Sequence, residues 1–131
     1  MIFDWGGTLT PWHNVEPLGS WMNAVRAAAH DDGAVDGLAA RLLAAEEEIW
    51  ARSRVHHLSA TLDDVFRAAA VAPDDAMRQA MHEWWDPHTY LDPDAPALFE
   101  ALRGRGIKIG VLSNTLWPRA EHERIFARTA S

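Results

Sequence analysis

The chain has 131 residues, of which 48% are hydrophobic and 24% charged, with seven tryptophans and no cysteine. That is the size of one compact domain and the composition of a globular protein, which excludes disorder as the whole answer and rules out disulfides, thiolate metal sites and a cysteine nucleophile. Nineteen acidic against twelve basic side chains leave a formal charge of −7, whose field repels phosphate backbones and anionic lipid, so neither nucleic acid nor a membrane is an expected partner.

Ile2-Phe3-Asp4-Trp5 is a short apolar run halted by Gly6-Gly7, the pattern of a strand that ends in a tight loop. Asp4 comes too early for a basic-then-apolar leader, and no stretch reaches the ~18 apolar residues of a membrane helix, so the expected address is the cytoplasm. Pro11, Asn14, Pro17 and Gly19 predict an irregular connection, followed by a helix from Ser20, its N-cap, to His30; Asp31-Asp32-Gly33 ends it. From Val35 to His57 the positions Leu38, Leu42, Ala45, Ile49 and Trp50 recur at three- to four-residue spacing, which predicts the longest amphipathic helix, with Glu46-Glu47-Glu48 on a solvated face. Thr61 ahead of Asp63-Asp64 predicts a capped helix start, and Pro73-Asp74-Asp75 begins another helix that carries Met77, Met81, Trp84 and Trp85 up to Pro87. Asp92-Pro93-Asp94-Ala95-Pro96 opens a further helix with Leu98, Phe99 and Leu102 on one side, closed by Gly104 and Gly106. The period then changes. Ile107-Lys108-Ile109-Gly110-Val111-Leu112 predicts a buried parallel strand, and a last helix is expected from Pro118 to Ala127.

This order predicts an α/β fold in which two parallel strands, joined by a right-handed crossover, bring their C-terminal ends to one sheet edge, where open α/β folds bind ligands. Asp4 and Ser113 are expected to converge there. A carboxylate at a strand tip can act as a nucleophile or as a Mg²⁺ ligand, and the Gly6-Gly7-Thr8 loop offers backbone N–H groups to an anion. Ser113-Asn114 adds a hydroxyl and an amide for a phosphoryl group. An Asp-x-Gly-Gly-Thr string alone is also what an ordinary strand-to-turn transition shows; its combination with Leu112-Ser113-Asn114-Thr115 is far more specific. His56-His57 and the pair His82 and His88 lack a carboxylate at ligand spacing, so the histidines are expected to be exposed rather than metal-binding. Trp12, His13, Trp84 and Trp85 line a substrate pocket on one reading and belong to the core on the more ordinary one.

These segments resemble the signatures of the haloacid dehalogenase (HAD) superfamily of hydrolases. Phe3-Asp4-Trp5-Gly6-Gly7-Thr8-Leu9 is similar to its first signature, a strand followed by Asp-x-Asp-Gly-Thr, and Ile109-Gly110-Val111-Leu112-Ser113-Asn114 to its second, a hydrophobic strand ending in Ser or Thr. The resemblance implies a partial Rossmann-like core over residues 1–12 and 87–131 and a helical cap over 13–86. It implies Asp4 as nucleophile, Asp4 and the Gly6 carbonyl as Mg²⁺ ligands, Thr8 as the residue that orients the loop, and Ser113 with the Asn114 backbone as the holder of the transferred phosphoryl. Trp5, Gly6 and Gly7 would contact the substrate, a small phosphorylated or halogenated metabolite.

Several departures accompany the likeness. Gly6 stands where phosphatases of the family carry an acid/base aspartate; members without it include dehalogenases and phosphonatases, so its absence points away from simple monoester hydrolysis and leaves the enzyme class open. A phosphonatase reading would need a cap lysine, and residues 13–86 contain none. The family's later lysine and acidic Mg²⁺ ligands have no counterpart before Ser131, and Lys108, five residues ahead of Ser113, sits ~16 Å down an extended strand, at the wrong end of the sheet. With only Ile2 and Phe3 left of the first strand, the chain is expected to be a fragment or a misbounded reading frame. The alternative to a hydrolase is therefore a catalytically silent fragment that binds an anion or a protein partner, and open sheet edges suggest a homo-oligomer.

Overall fold

The computed structural model describes residues 1–11, 15–28 and 31–129. Trp12, His13, Asn14 and His30 lie outside the described residues. In chain order the elements are β1 (Ile2–Phe3), α1 (Pro17–Ala27), α2 (Asp32–His56), α3 (Leu62–Ala68), α4 (Asp75–Trp85), a 3₁₀ turn (Asp86–His88), α5 (Ala95–Gly104), β2 (Gly110–Val111) and α6 (Arg119–Thr129). No helix among the described residues is long and apolar enough to cross a membrane. The chain divides into two compact units, one of Met1–Asn14, Asp86–Thr115 and Ala120–Ser131, the other of Val15–Trp85 and Leu116–Arg119.

The second unit is helical and holds the hydrophobic core. In it α1 packs on both α2 and α4, and α3 packs on α2. Trp21, Val25, Leu42, Phe66 and Met77 are fully buried, and the Trp21 and Phe66 rings meet edge to face at 5.9 Å. The α2 stripe runs as expected, with Leu42, Ala45 and Ile49 buried, while Glu46 departs from the solvated-face reading. It is half-buried, and its carboxylate accepts the Trp21 indole N–H at 2.6 Å, because a buried indole must place its one donor. Arg41 likewise reaches over α3 and donates to the carbonyls of Ala69 and Ala70 at 2.6 and 3.2 Å, satisfying helix-end acceptors. Of the tryptophan pair, Trp85 packs against the core, whereas Trp84 is 39% exposed and lies beside Gly19.

Helix boundaries moved where capping outweighed composition. α1 begins at Pro17 rather than after Ser20, because the Glu16 carboxylate accepts the Leu18 and Gly19 amides at 3.0 and 2.6 Å and Pro17 needs no N–H partner in the first turn. Ser20 is inside the helix, its hydroxyl donating to the Pro17 carbonyl at 2.8 Å. α2 begins at Asp32, absorbing Gly33; a glycine in a helix costs about 1 kcal/mol, which the burial of Val35 in the next turn offsets. At α3 the expected cap is present as a reciprocal capping box between Thr61 and Asp64.

The first unit holds the sheet. β1 and β2 pair in parallel with Ile2 opposite Gly110 and Phe3 opposite Val111. The Gly110 N–H donates to the Met1 carbonyl and the Leu112 N–H to the Phe3 carbonyl, each at 2.9 Å. The parallel α/β arrangement is as the sequence predicts, but the expected burial of Ile107–Leu112 is not found. The ladder covers only Gly110–Val111, and Val111 and Leu112 are 39% and 73% exposed. Its one neighbour among the described residues is a strand of two residues, and so short a sheet cannot cover both faces of a longer partner. α5 lies on the Phe3 side, with the Phe3 and Phe99 rings 5.7 Å apart, and Gly106 at φ 73° makes the left-handed turn that leads into β2. α6 buries Ile125 and is pinned to the 3₁₀ turn by charge: Arg124 and Arg128 each donate to the same Asp86 carboxylate oxygen at 2.8 Å, and Arg128 also reaches the Thr89 hydroxyl at 2.6 Å.

Two stability predictions follow from these contacts. Phe66→Ala should destabilise the helical unit by about 3–5 kcal/mol, read from urea denaturation followed by circular dichroism. The hydrogen bond from Arg124 holds the Asp86 carboxyl below the usual carboxylate range against the opposing effect of burial, and the Arg128 hydrogen bond adds to it. Its folded value is thus below its unfolded one, so the stability it contributes is present above about pH 4 and is lost as pH falls further. Thermal melts of Asp86→Asn between about pH 5 and 2 should show a shallower acid dependence than the parent.

Candidate active site

Asp4 is the first residue after β1, and the parallel register sets it level with Leu112, one residue before Ser113. Both stand at the C-terminal ends of their strands, the edge at which open α/β sheets bind ligands. Asp4 is exposed and Ser113 half-buried, and the Ser113 hydroxyl has no hydrogen bond among the described residues. Lys108 is exposed and precedes β2, at the opposite end of the strand.

The loop after Asp4 is organised by one acceptor. The Trp5 carbonyl receives the backbone N–H groups of Thr8, Leu9 and Thr10 at 3.2, 2.9 and 3.2 Å, with the Thr10 hydroxyl at 3.4 Å. Folding the chain back so sharply requires Gly7 at φ 78°, which a residue with a Cβ adopts only under strain. The turn lifts the Thr8 hydroxyl to 3.4 Å from an Asp4 carboxylate oxygen, to which it donates. Gly6 is different. It has no left-handed φ, and a Cβ built there meets nothing within 4 Å, so neither backbone nor packing demands a glycine.

Trp5 turns away from Asp4, as alternation along an extended chain requires, and its indole meets the Phe126 ring edge-on at 5.1 Å. With Phe99, Val111 and Phe126 it walls a cavity of about 500 Å³ whose charged lining residues are Glu100 and Arg103; Asp4, Thr8 and Ser113 are not among its walls. On the Ser113 side, His122 Nε2 is 3.2 Å from the Thr115 hydroxyl oxygen. His122 was not singled out by its sequence context, since a lone histidine on a polar helix face carries no motif; its seven-residue distance from Thr115 was the available signal. Nor are the histidines all exposed. His56 and His57 are, while His82, His88 and His122 are half-buried, His82 with its ring 4.7 Å from Trp117.

The family model for haloacid dehalogenase-like hydrolases matches residues 1–126. The chain belongs to that family. No curated protein and no solved structure matches it. Membership makes this hydrolase's strand-end pair, Asp4 and Ser113, the place to look for chemistry, and the family's use of Mg²⁺ can be tested against the donors present. The Asp4 carboxylate and the Gly6 carbonyl are hard oxygen donors of the kind Mg²⁺ takes, alongside water and substrate oxygens. Among the described residues no three His, Asp or Glu side chains cluster as a metal site. The donor types fit Mg²⁺.

Burial holds the His122 imidazole below its usual range, with the neighbouring Glu121 charge opposing the shift. A histidine whose folded value is depressed contributes stability above the unfolded value of about 6.5 and loses it as pH falls toward the folded one. Titration by NMR should give His122 a midpoint below 6.5, and His122→Gln should lessen the loss of melting temperature below that pH.

Proposed function

We propose that this hydrolase acts through Asp4 as a nucleophile on a small phosphorylated or halogenated metabolite, with the helical unit serving as its cap. What supports the reading most is the parallel register that puts Asp4 and Ser113 at adjacent strand ends. In the phosphoryl branch an Asp4 oxygen attacks phosphorus and forms an aspartyl phosphate while the leaving oxygen departs with the bonding pair; water then releases phosphate and restores the carboxylate. Thr8 orients the carboxylate, Ser113 donates to a non-bridging oxygen, and the backbone of Asn114 and Gly7 holds the rest of the group. Mg²⁺, held by the Asp4 carboxylate and the Gly6 carbonyl, would neutralise phosphoryl charge when bound.

Gly6 narrows the substrate class. With no carboxylic acid on the loop to protonate a departing alkoxide, the favoured substrates are those whose leaving groups depart as stable anions: halides from carbon, or aryloxides and carboxylates from phosphorus. One observation favours the catalytically silent rival. Asp4 has no ion pair with a Lys or Arg among the described residues, so no side-chain cation brings it and a dianionic group together for attack.

The test measures halide release from a 2-haloacid and phosphate release from aryl and alkyl phosphates, with and without Mg²⁺. Asp4→Asn should lower whichever activity is present by about 10³-fold or more. Gly6→Asp, which the open space at its Cβ permits, should raise alkyl phosphate turnover by about 10²-fold or more and aryl phosphate turnover far less. Inertness of every variant, with inorganic phosphate still bound, would establish the binding-only rival instead.

A further inference from the structure

We propose that α6 is the spacer that sets the separation between the Asp4 loop and the Ser113 loop, with His122 and Phe126 as positioning residues. The inference rests on the proposed role of those loops. The strands themselves supply little constraint: the ladder ends with the Leu112-to-Phe3 bond, and both candidate residues lie beyond or at its limit. α6 reaches both loops through side chains. His122 Nε2 meets the Thr115 hydroxyl at 3.2 Å, two residues after Ser113, and the Phe126 ring meets Trp5, the residue after Asp4, at 5.1 Å.

His122 and Phe126 are four residues apart on one helix face, their rings 6.0 Å from each other, so the two loops are referenced to a single helical turn. That turn is itself fixed, by the buried Ile125 and by the Arg124 and Arg128 bonds to Asp86. On the other side, Trp5 cannot move alone. Its carbonyl collects the Thr8, Leu9 and Thr10 amides, so a displacement of the indole is carried to Thr8 and from there to the Asp4 carboxylate it orients. A helix turn is stiff where a two-residue ladder is not, and a nucleophile and a phosphoryl-holding hydroxyl must keep their spacing to within about 0.5 Å.

The experiment compares His122→Leu, His122→Gln and Phe126→Leu with the parent chain by backbone amide NMR, melting temperature and steady-state kinetics on the substrate found active. Inorganic phosphate titration is the binding probe. His122→Leu should shift amide resonances in both loops, at Ser113–Thr115 and at Trp5–Thr8, and lower kcat by about tenfold or more with KM little changed. His122→Gln, which keeps a hydrogen-bonding group of similar reach for Thr115, should restore kcat to within about threefold of the parent. Phe126→Leu should in turn shift the Ser113–Thr115 amides, and this arm decides the matter if His122→Leu does not fold. Shifts confined to the loop that each residue touches, or a Gln variant as impaired as Leu at unchanged melting temperature, would overturn the inference. If the parent neither turns over substrate nor binds phosphate, the proposed function fails, and the reciprocal amide shifts still judge the spacer by themselves.

Discussion

Backbone hydrogen bonds between the strands, those from Gly110 to Met1 and from Leu112 to Phe3 among them, determine which residues can act together in this protein. They pair strands of two residues each, and through that pairing a carboxylate near the start of the chain and a hydroxyl near its end occupy the same sheet edge. A shift of one residue in either strand would send Asp4 or Ser113 to the opposite face, because side chains alternate along an extended chain. The chemistry proposed for the protein depends on that register.

The energetics of the two units differ in kind. The helical unit is held by apolar burial, with Trp21, Phe66, Leu42 and Met77 at its centre. The sheet-bearing unit has few fully buried apolar side chains, and its parts are joined by directed contacts: the Trp5 carbonyl gathering three amides, Arg124 and Arg128 converging on Asp86, aromatic edges at Phe3 and Trp5. Directed contacts define distances more sharply than burial does, and a strand-end site needs defined distances. At Asp86 such contacts also bear on protonation, since the Arg124 hydrogen bond holds its carboxyl below the usual range.

Gly6 separates what the loop needs in order to fold from what it needs in order to react. Gly7 is required by its left-handed backbone, and the turn made there brings Thr8 back to Asp4. At Gly6 no such requirement exists, so a side chain there would leave the fold alone. The leaving-group preference proposed for the protein rests on that one position.

The local rules of the sequence determined a good deal. The helical stripe of α2, the Thr61 capping box, the glycine-closed end of α5 and the change of period before β2 depend on spacing and on nearest neighbours, which a sequence displays. Asp4-Trp5-Gly6-Gly7-Thr8 and Leu112-Ser113-Asn114 were legible as a strand-end pair because their residue types carry chemistry wherever those strands lie. Other features needed the fold. Glu46 reads as solvated until Trp21 claims its carboxylate, Val111 and Leu112 read as buried until the sheet proves to have too few strands to cover them, and His122 has no meaning until α6 brings it to Thr115. Each of these depends on a partner far away in the chain, and the sequence encodes such partners only through the sum of all packing, which tertiary structure alone resolves.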